Sequence, residues 1–218
     1  MRVLIAGGHG KIALLLTRIL ADRGDTVVGI VRNPDHVADV RAEGGDAVVV
    51  DLEQATVEEL SAVLTGADAV VFAAGAGPGS GIARKDTVDR GASELLADAA
   101  EAAEVRRYLQ ISAMGLDRAD DPSMDEVFAV YLRAKDAADR DVMARAGLDW
   151  TILRPGALTD DSGLGLVTLG EHVEPGWVTR ADVAAVLTGL LDRPGTAGRV
   201  YELVGGDTPI EEALGTVA

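Results

Sequence analysis

Residues 1–14 read MRVLIAGGHGKIAL. Val3, Leu4 and Ile5 form an apolar run after a single charge, the pattern of a strand covered on both faces. Gly7, Gly8 and Gly10 come next, and Ile12, Leu15, Leu16 and Ile19 then recur at helical spacing. So tight a strand-to-helix turn needs residues without a Cβ. It leaves bare N–H groups at a helix N-terminus, which is a ready anion site. The stretch is therefore expected to hold the pyrophosphate of a dinucleotide, through Gly7, Gly8, His9, Gly10, Lys11 and Ile12. Two fingerprints overlap in it: G-x-G-x-x-A from Gly8 to Ala13, and G-x-x-G-x-x-A from Gly7 to Ala13.

Strand and helix signals alternate through the rest of the chain. Strands are expected at Thr26–Val31, Ala47–Val50, Ala69–Ala74, Arg107–Ile111, Trp150–Leu153 and Val200–Val204. Between them lie helices after Pro34, around Val57–Leu64, along a face from Val88 to Ala103, over Asp125–Arg145 and over Ala181–Leu191. Six βα steps in series predict an α/β fold: a Rossmann-type, doubly wound parallel sheet in three layers. The loops at 75–83, 113–124 and 155–178 are the ones with room for a substrate. The expectation is one domain over residues 1–218, with a small cap from 155–178 and the C-terminal segment.

Composition narrows the function classes. Apolar residues make up 48% and aromatics 3%, so Ala, Val and Leu must build the core. A net charge of -16 with no basic stripe argues against nucleic acid as a partner. No apolar run is long enough to span a bilayer, and the N-terminus enters a strand at once, so neither a membrane span nor a signal peptide is expected. With no cysteine, and with His9, His36 and His172 far apart, no catalytic metal is expected. These points favour a cytoplasmic protein, monomer or homodimer, acting on a small molecule.

The end of the second strand reads Val31-Arg32-Asn33, with no carboxylate before Asp35. An NAD site would place an acid there for the ribose hydroxyls, whereas Arg32 offers a fork of donors to a 2′-phosphate. NADP is therefore favoured over NAD, a solvated Arg32 being the alternative. Downstream, Tyr131-Leu132-Arg133-Ala134-Lys135 puts a phenol and an ammonium on the same helix face. A lysine there is expected to lower the tyrosine pKa for general acid/base work. Ser112 follows the fifth strand, where it is expected to donate to a substrate oxygen. The alternative makes Tyr131 a core residue beside Val127 and Ala138, with Lys135 paired to Asp139.

GGHGKIA, the strand ending at Ser112, YLRAK and TILRPGALT together resemble the short-chain dehydrogenase/reductase superfamily. More closely, the chain resembles its atypical, NmrA-like NAD(P)-binding members, some labelled sugar epimerases. ARKDTVDRGA, the RADVA helix start and the closing YELVGGDTPIEEAL extend the likeness over nearly the whole chain. The resemblance implies that Gly7, Gly10 and Ala13 line the pyrophosphate turn, with Gly8 merely saving space. It places Arg32 near the adenosine phosphate, Asp51 and Leu52 beside the adenine, and Ala73, Ala74 and Gly75 at the nicotinamide ribose. Lys135 would also hold ribose hydroxyls, and Pro155, Gly156, Ala157 and Leu158 would shape the nicotinamide pocket. Asp89 stands where the family usually carries a helical asparagine, which adds a charge beside the relay. The function implied is an NADP-dependent oxidoreductase or epimerase-like enzyme. A redox-sensing dinucleotide binder without turnover is the second reading, and a scaffold that has lost cofactor binding is the third.

Overall fold

A computed structural model describes residues 1–77 and 79–217. β1 (Arg2–Ala6) pairs in parallel with β2 (Thr26–Val31) on one side and β4 (Ala69–Phe72) on the other. β3 (Asp46–Val49) lies outside β2; β5 (Arg107–Ile111), β6 (Asp149–Pro155) and β10 (Arg199–Gly205) follow β4 in turn, all parallel. The order β3-β2-β1-β4-β5-β6-β10 is that of a doubly wound sheet, and it reverses direction between β1 and β4. Open α/β sheets bind ligands beyond the carboxyl ends of the strands at such a switch point.

The expected parallel core therefore stands, but its edge is richer than the loop predicted for 155–178. β8 (Leu166–Gly170) runs antiparallel to β10, and β11 (Thr208–Pro209) antiparallel to β8. β7 (Ala157–Thr159) and β9 (Trp177–Thr179) make a separate two-stranded sheet.

Alternation within the strands builds two apolar layers. Val3 and Ile5 point to one face and meet Leu16 and Leu20 of α1 (Lys11–Asp22) and Leu187 of α7 (Arg180–Leu191). Leu4 points to the other face with Phe72 and Tyr108, against Leu60 of α3 (Val57–Leu64) and Leu96 of α5 (Ala92–Ala102). Each fully buried Leu or Phe contributes roughly 1.5–3 kcal/mol. The sheet that carries the switch point is thus clamped from both sides. Among the described residues no helix is long and apolar enough to cross a membrane.

The long helix expected between β4 and β5 is interrupted. A short turn, Gly81–Arg84, leads into a π-helical segment, Lys85–Gly91, before α5 continues. Such segments are rare and concentrate at functional sites.

Candidate active site

Two cavities adjoin at the carboxyl edge of the sheet, sharing Ala73, Ala74, Gly75 and Gly77. The first is a cleft of about 510 Å³ lined by Gly7, His9, Gly10, Arg32, Asp51 and Leu52. Gly7 takes a φ of +77°, and a Cβ on it would lie 2.6 Å from the Ala74 Cα. A Cβ on Gly8 would lie 2.6 Å from the Gly29 Cα of β2, so Gly8 permits strand packing and does not line the cleft. The Gly10 N–H donates to the Gly7 carbonyl at 2.8 Å, and Gly10 caps α1 without a side-chain acceptor. The first-turn amides of a twelve-residue helix thus have no side-chain acceptor, at a helix start beside the cleft that Gly7 and Gly10 line, and they fit a pyrophosphate.

At the other end of this cleft Arg32 is half-exposed and paired with Glu53 at 3.0 Å. Glu53 also accepts from Arg84 at 2.8 Å and from Thr87 at 2.6 Å. The Arg84 guanidinium and the Thr87 hydroxyl, with Arg32 farther off, hold this carboxyl below its ordinary range. His36 stacks on His9 with centroids 3.6 Å apart, and His9 Nε2 lies 2.7 Å from Asp39. Glu53, Arg84 and His36 were not singled out from the sequence. Glu53 follows the third strand rather than the second, so the usual acid position gives no sign of it.

The second cavity, about 490 Å³, is lined by Ile12, Asp89, Ser112, Tyr131, Lys135 and Leu158, among others. Tyr131 and Lys135 come from α6 (Glu126–Met143), whose N-cap Asp125 accepts from the Phe128 N–H at 3.0 Å. Lys135 Nζ donates to the Ile111 carbonyl at 3.2 Å and forms an ion pair with Asp89 Oδ1 at 3.4 Å. Asp89 comes from the π segment, is fully buried, and accepts from the Ala76 N–H at 3.2 Å through Oδ2. Its Oδ1 makes no aligned hydrogen bond. A buried acceptor beside a lysine donor, next to the passage between the cavities, fits ribose hydroxyls.

Three expectations about this cavity are corrected. Lys135 pairs with Asp89 and not with Asp139, whose partners are Gln110 at 2.8 Å and Arg154 at 2.9 Å. The Tyr131 phenol is pushed up, not down. Burial is the largest cause, with the Asp89 and Asp139 carboxylates adding to it. The positive charge of Lys135 is already matched by Asp89, so it does not offset them. Ser112 donates its proton to Asp139 at 2.9 Å rather than into the cavity, and in this arrangement its hydroxyl offers lone pairs to a ligand. Burial in turn raises the Asp139 carboxyl above its ordinary range.

Lys85 is the cavity residue that sequence reasoning passed over, quoted only within ARKDTVDRGA. It is 8% exposed, and its Nζ donates to the Gly77 carbonyl at 2.8 Å. Lys85 and Asp89 stand four apart, a spacing that brings both to one side of a wide helical turn.

Six residues expected at the site line neither cavity: Gly8, Lys11, Ala13, Pro155, Gly156 and Ala157. Lys11 is paired with Asp160. Pro155 pairs with Leu203 of β10, the Gly156 N–H donates to Leu203, and the Ala157 N–H to Gly176. Sheet-edge pairing absorbs that segment and leaves Leu158 to the cavity. Of the Gly75–Gly81 loop, Pro78 lies outside the described residues.

The family model described as NAD(P)H-binding matches residues 7–194. The chain is 34% identical over 215 residues to YhfK of Bacillus subtilis (strain 168), named an uncharacterized sugar epimerase, covering 98% of this chain and 99% of that one. It is similar to a solved Bacillus halodurans structure whose name carries the words NAD-dependent epimerase/dehydratase: 35% identity, TM-score 0.91, and 99% of each chain covered. The Lactococcus lactis oxidoreductase ylbE is similar at 29% identity and TM-score 0.86, with 100% of this chain and 96% of that one covered.

Proposed function

The chain belongs to the NAD(P)H-binding family, within the atypical short-chain dehydrogenase/reductase group, and from that premise we propose that it is an NADP-dependent reductase of a small carbonyl compound. The observation that carries the reading is the junction at Ala73–Gly75. There a cleft fitted to a dinucleotide opens into a cavity holding Tyr131, Lys135 and Ser112.

In this reading the first-turn amides of α1 hold the pyrophosphate, and Arg32 and Arg84 face the adenosine phosphate. The absence of a carboxylate at the end of β2 supports NADP over NAD. Asp89 and Lys135 hold ribose hydroxyls and so fix where the reacting ring lies. When bound, the nicotinamide supplies or takes up a hydride. The Tyr131 phenol, its pKa raised by burial with Asp89 and Asp139 adding to it, is protonated at neutral pH, the form in which it can donate a proton. Tyr131 therefore gives its proton to a carbonyl oxygen as reduction proceeds, and the alcohol-to-carbonyl direction, which needs a phenolate, is the disfavoured one.

The test begins with titrations of NADPH and NADH, followed by turnover of a panel of small aldehydes and ketones. Tyr131→Phe should retain NADPH binding and lose turnover by about 10²–10⁴-fold, the usual worth of a positioned general acid. Undiminished turnover in that variant overturns the role of Tyr131. NADPH binding with no turnover of any carbonyl favours a redox-sensing protein instead.

A further inference from the structure

The chain has three lysines, at positions 11, 85 and 135. Lys11 is paired with Asp160 and Lys135 with Asp89. Lys85 differs from both. It lies in the second cavity, nine-tenths buried, and among the described residues its Nζ has no carboxylate partner. Its hydrogen bond goes to a neutral acceptor, the Gly77 carbonyl, at 2.8 Å. One carbonyl uses one of the three donors an ammonium carries. The same Nζ lies over the Tyr131 ring, 5.3 Å from its centroid, a cation–π contact that brings the ammonium beside the proposed general acid without supplying an opposite charge.

A buried charge ordinarily finds an opposite charge, because leaving water is costly for an isolated ion. An ammonium held without one in a ligand cavity is matched to an anion that arrives with the ligand. The π-helical turn is what brings Lys85 to the cavity together with Asp89. The phosphates of a dinucleotide are provided for elsewhere, at the glycine turn and near Arg32, in the other cavity.

The remaining walls describe the rest of that ligand. Ile12, Val127, Phe128 and Leu158 line the same cavity, as does Asp125, whose carboxylate is engaged as the N-cap of α6. Val127 and Phe128 are among the few large apolar side chains left exposed, although they begin an otherwise packed helix. The Phe128 ring stacks on Tyr131 with centroids 5.7 Å apart. An apolar, partly aromatic rim around one unmatched cation is complementary to an organic acid with an apolar body. The chain as a whole carries -16 and repels anions, so a local cation is needed to seat one.

We propose that Lys85 is the anion-binding residue of the second cavity and that the substrate is an apolar oxo acid, a carboxylate on an aryl or alkyl body that also carries the aldehyde or ketone to be reduced. The assignment of that acid as substrate rests on the reductase function above; the acid-binding site itself does not.

The experiment measures affinities of the full chain for benzoate against benzamide, phenylacetate against phenylacetamide, and hexanoate against hexanamide. Each pair is titrated with and without saturating NADPH, by calorimetry or ligand-observed NMR. The wild-type protein is expected to prefer the acid of at least one pair by about tenfold. Lys85→Gln, which keeps a donor for the Gly77 carbonyl but not the charge, should abolish the preference, and Lys85→Arg should restore most of it. Equal affinity for acid and amide, no binding of any acid at millimolar concentration, or a preference that survives Lys85→Gln each overturns the proposal. Thermal unfolding checks that the variant folds; if it does not, the wild-type preference and Lys85→Met decide. If wild-type protein fails to bind NADPH, the reductase reading falls while the titration without NADPH still judges Lys85. If NADPH binds and no acid is preferred, the assignment of Lys85 falls alone.

Discussion

The two cavities that meet at Ala73–Gly75 are made of different material. The first is built largely from backbone: the turn of Gly7 and Gly10, the first amides of α1, and strand ends bordering a groove. Its chemistry follows from the path of the chain, and few side chains need to be particular. The second is built from side chains that converge from separate elements. Asp89 and Lys85 come from the π segment, Ser112 from the end of β5, and Tyr131 and Lys135 from α6. A backbone site is sensitive to added bulk, whereas a convergent side-chain site is sensitive to charge.

The first prediction tests that contrast where it is strongest. Gly7→Val puts a branched side chain at a φ of +77° and within 2.6 Å of the Ala74 backbone. NADPH binding should weaken by about a hundredfold or more, equivalent to at least ~2.7 kcal/mol. Titration of the folded variant checks it, and near-normal binding would remove the backbone cleft as the dinucleotide site.

A smaller effect is expected from Glu53→Gln. Arg32 and Arg84 both spend charge on Glu53. Neutralising it releases them to a 2′-phosphate, so the ratio of NADP to NAD affinity should rise by about tenfold. A ratio that does not move would show that neither arginine reads the phosphate.

The last prediction is an absence of effect in the second cavity. Because the Tyr131 pKa is raised, the neutral phenol persists as pH climbs toward the ordinary phenol value of about 10. Reductive turnover at saturating NADPH should stay level between about pH 7.5 and 9.5. A phenol lowered by Lys135 would instead lose the acid form, and the rate, across that window.

The same contrast explains what could be read from the chain. β1, the glycine turn and α1 are contiguous, so apolar periodicity and glycine spacing expose them together, and β5 is expected and found over the same residues. β8 does carry an alternating pattern in Leu166–Gly170, but it is short and set among glycines, so it reads as loop. The π segment escaped because Val88, Ala92 and Leu96 keep a near-helical rhythm through it. Tyr131 and Lys135 are legible as a pair because helical spacing is local. The reversal of the expected phenol shift is not, since it depends on Asp89 and Asp139 being brought to one buried place by tertiary packing. Residues 155–157 show the opposite failure: a family pattern suggested contact, while Pro155 and Ala157 are taken up by strand pairing and the Gly156 N–H by the Leu203 carbonyl.

The central claim is that the two cavities act as one site, with the nicotinamide at their junction. A crystal structure of the protein saturated with NADP tests it most directly. The account predicts the pyrophosphate on the amides that open α1, the ribose hydroxyls at Asp89 and Lys135, and the nicotinamide ring in the passage facing Tyr131. A nicotinamide turned away from the second cavity, or a dinucleotide seated elsewhere on the chain, would contradict it.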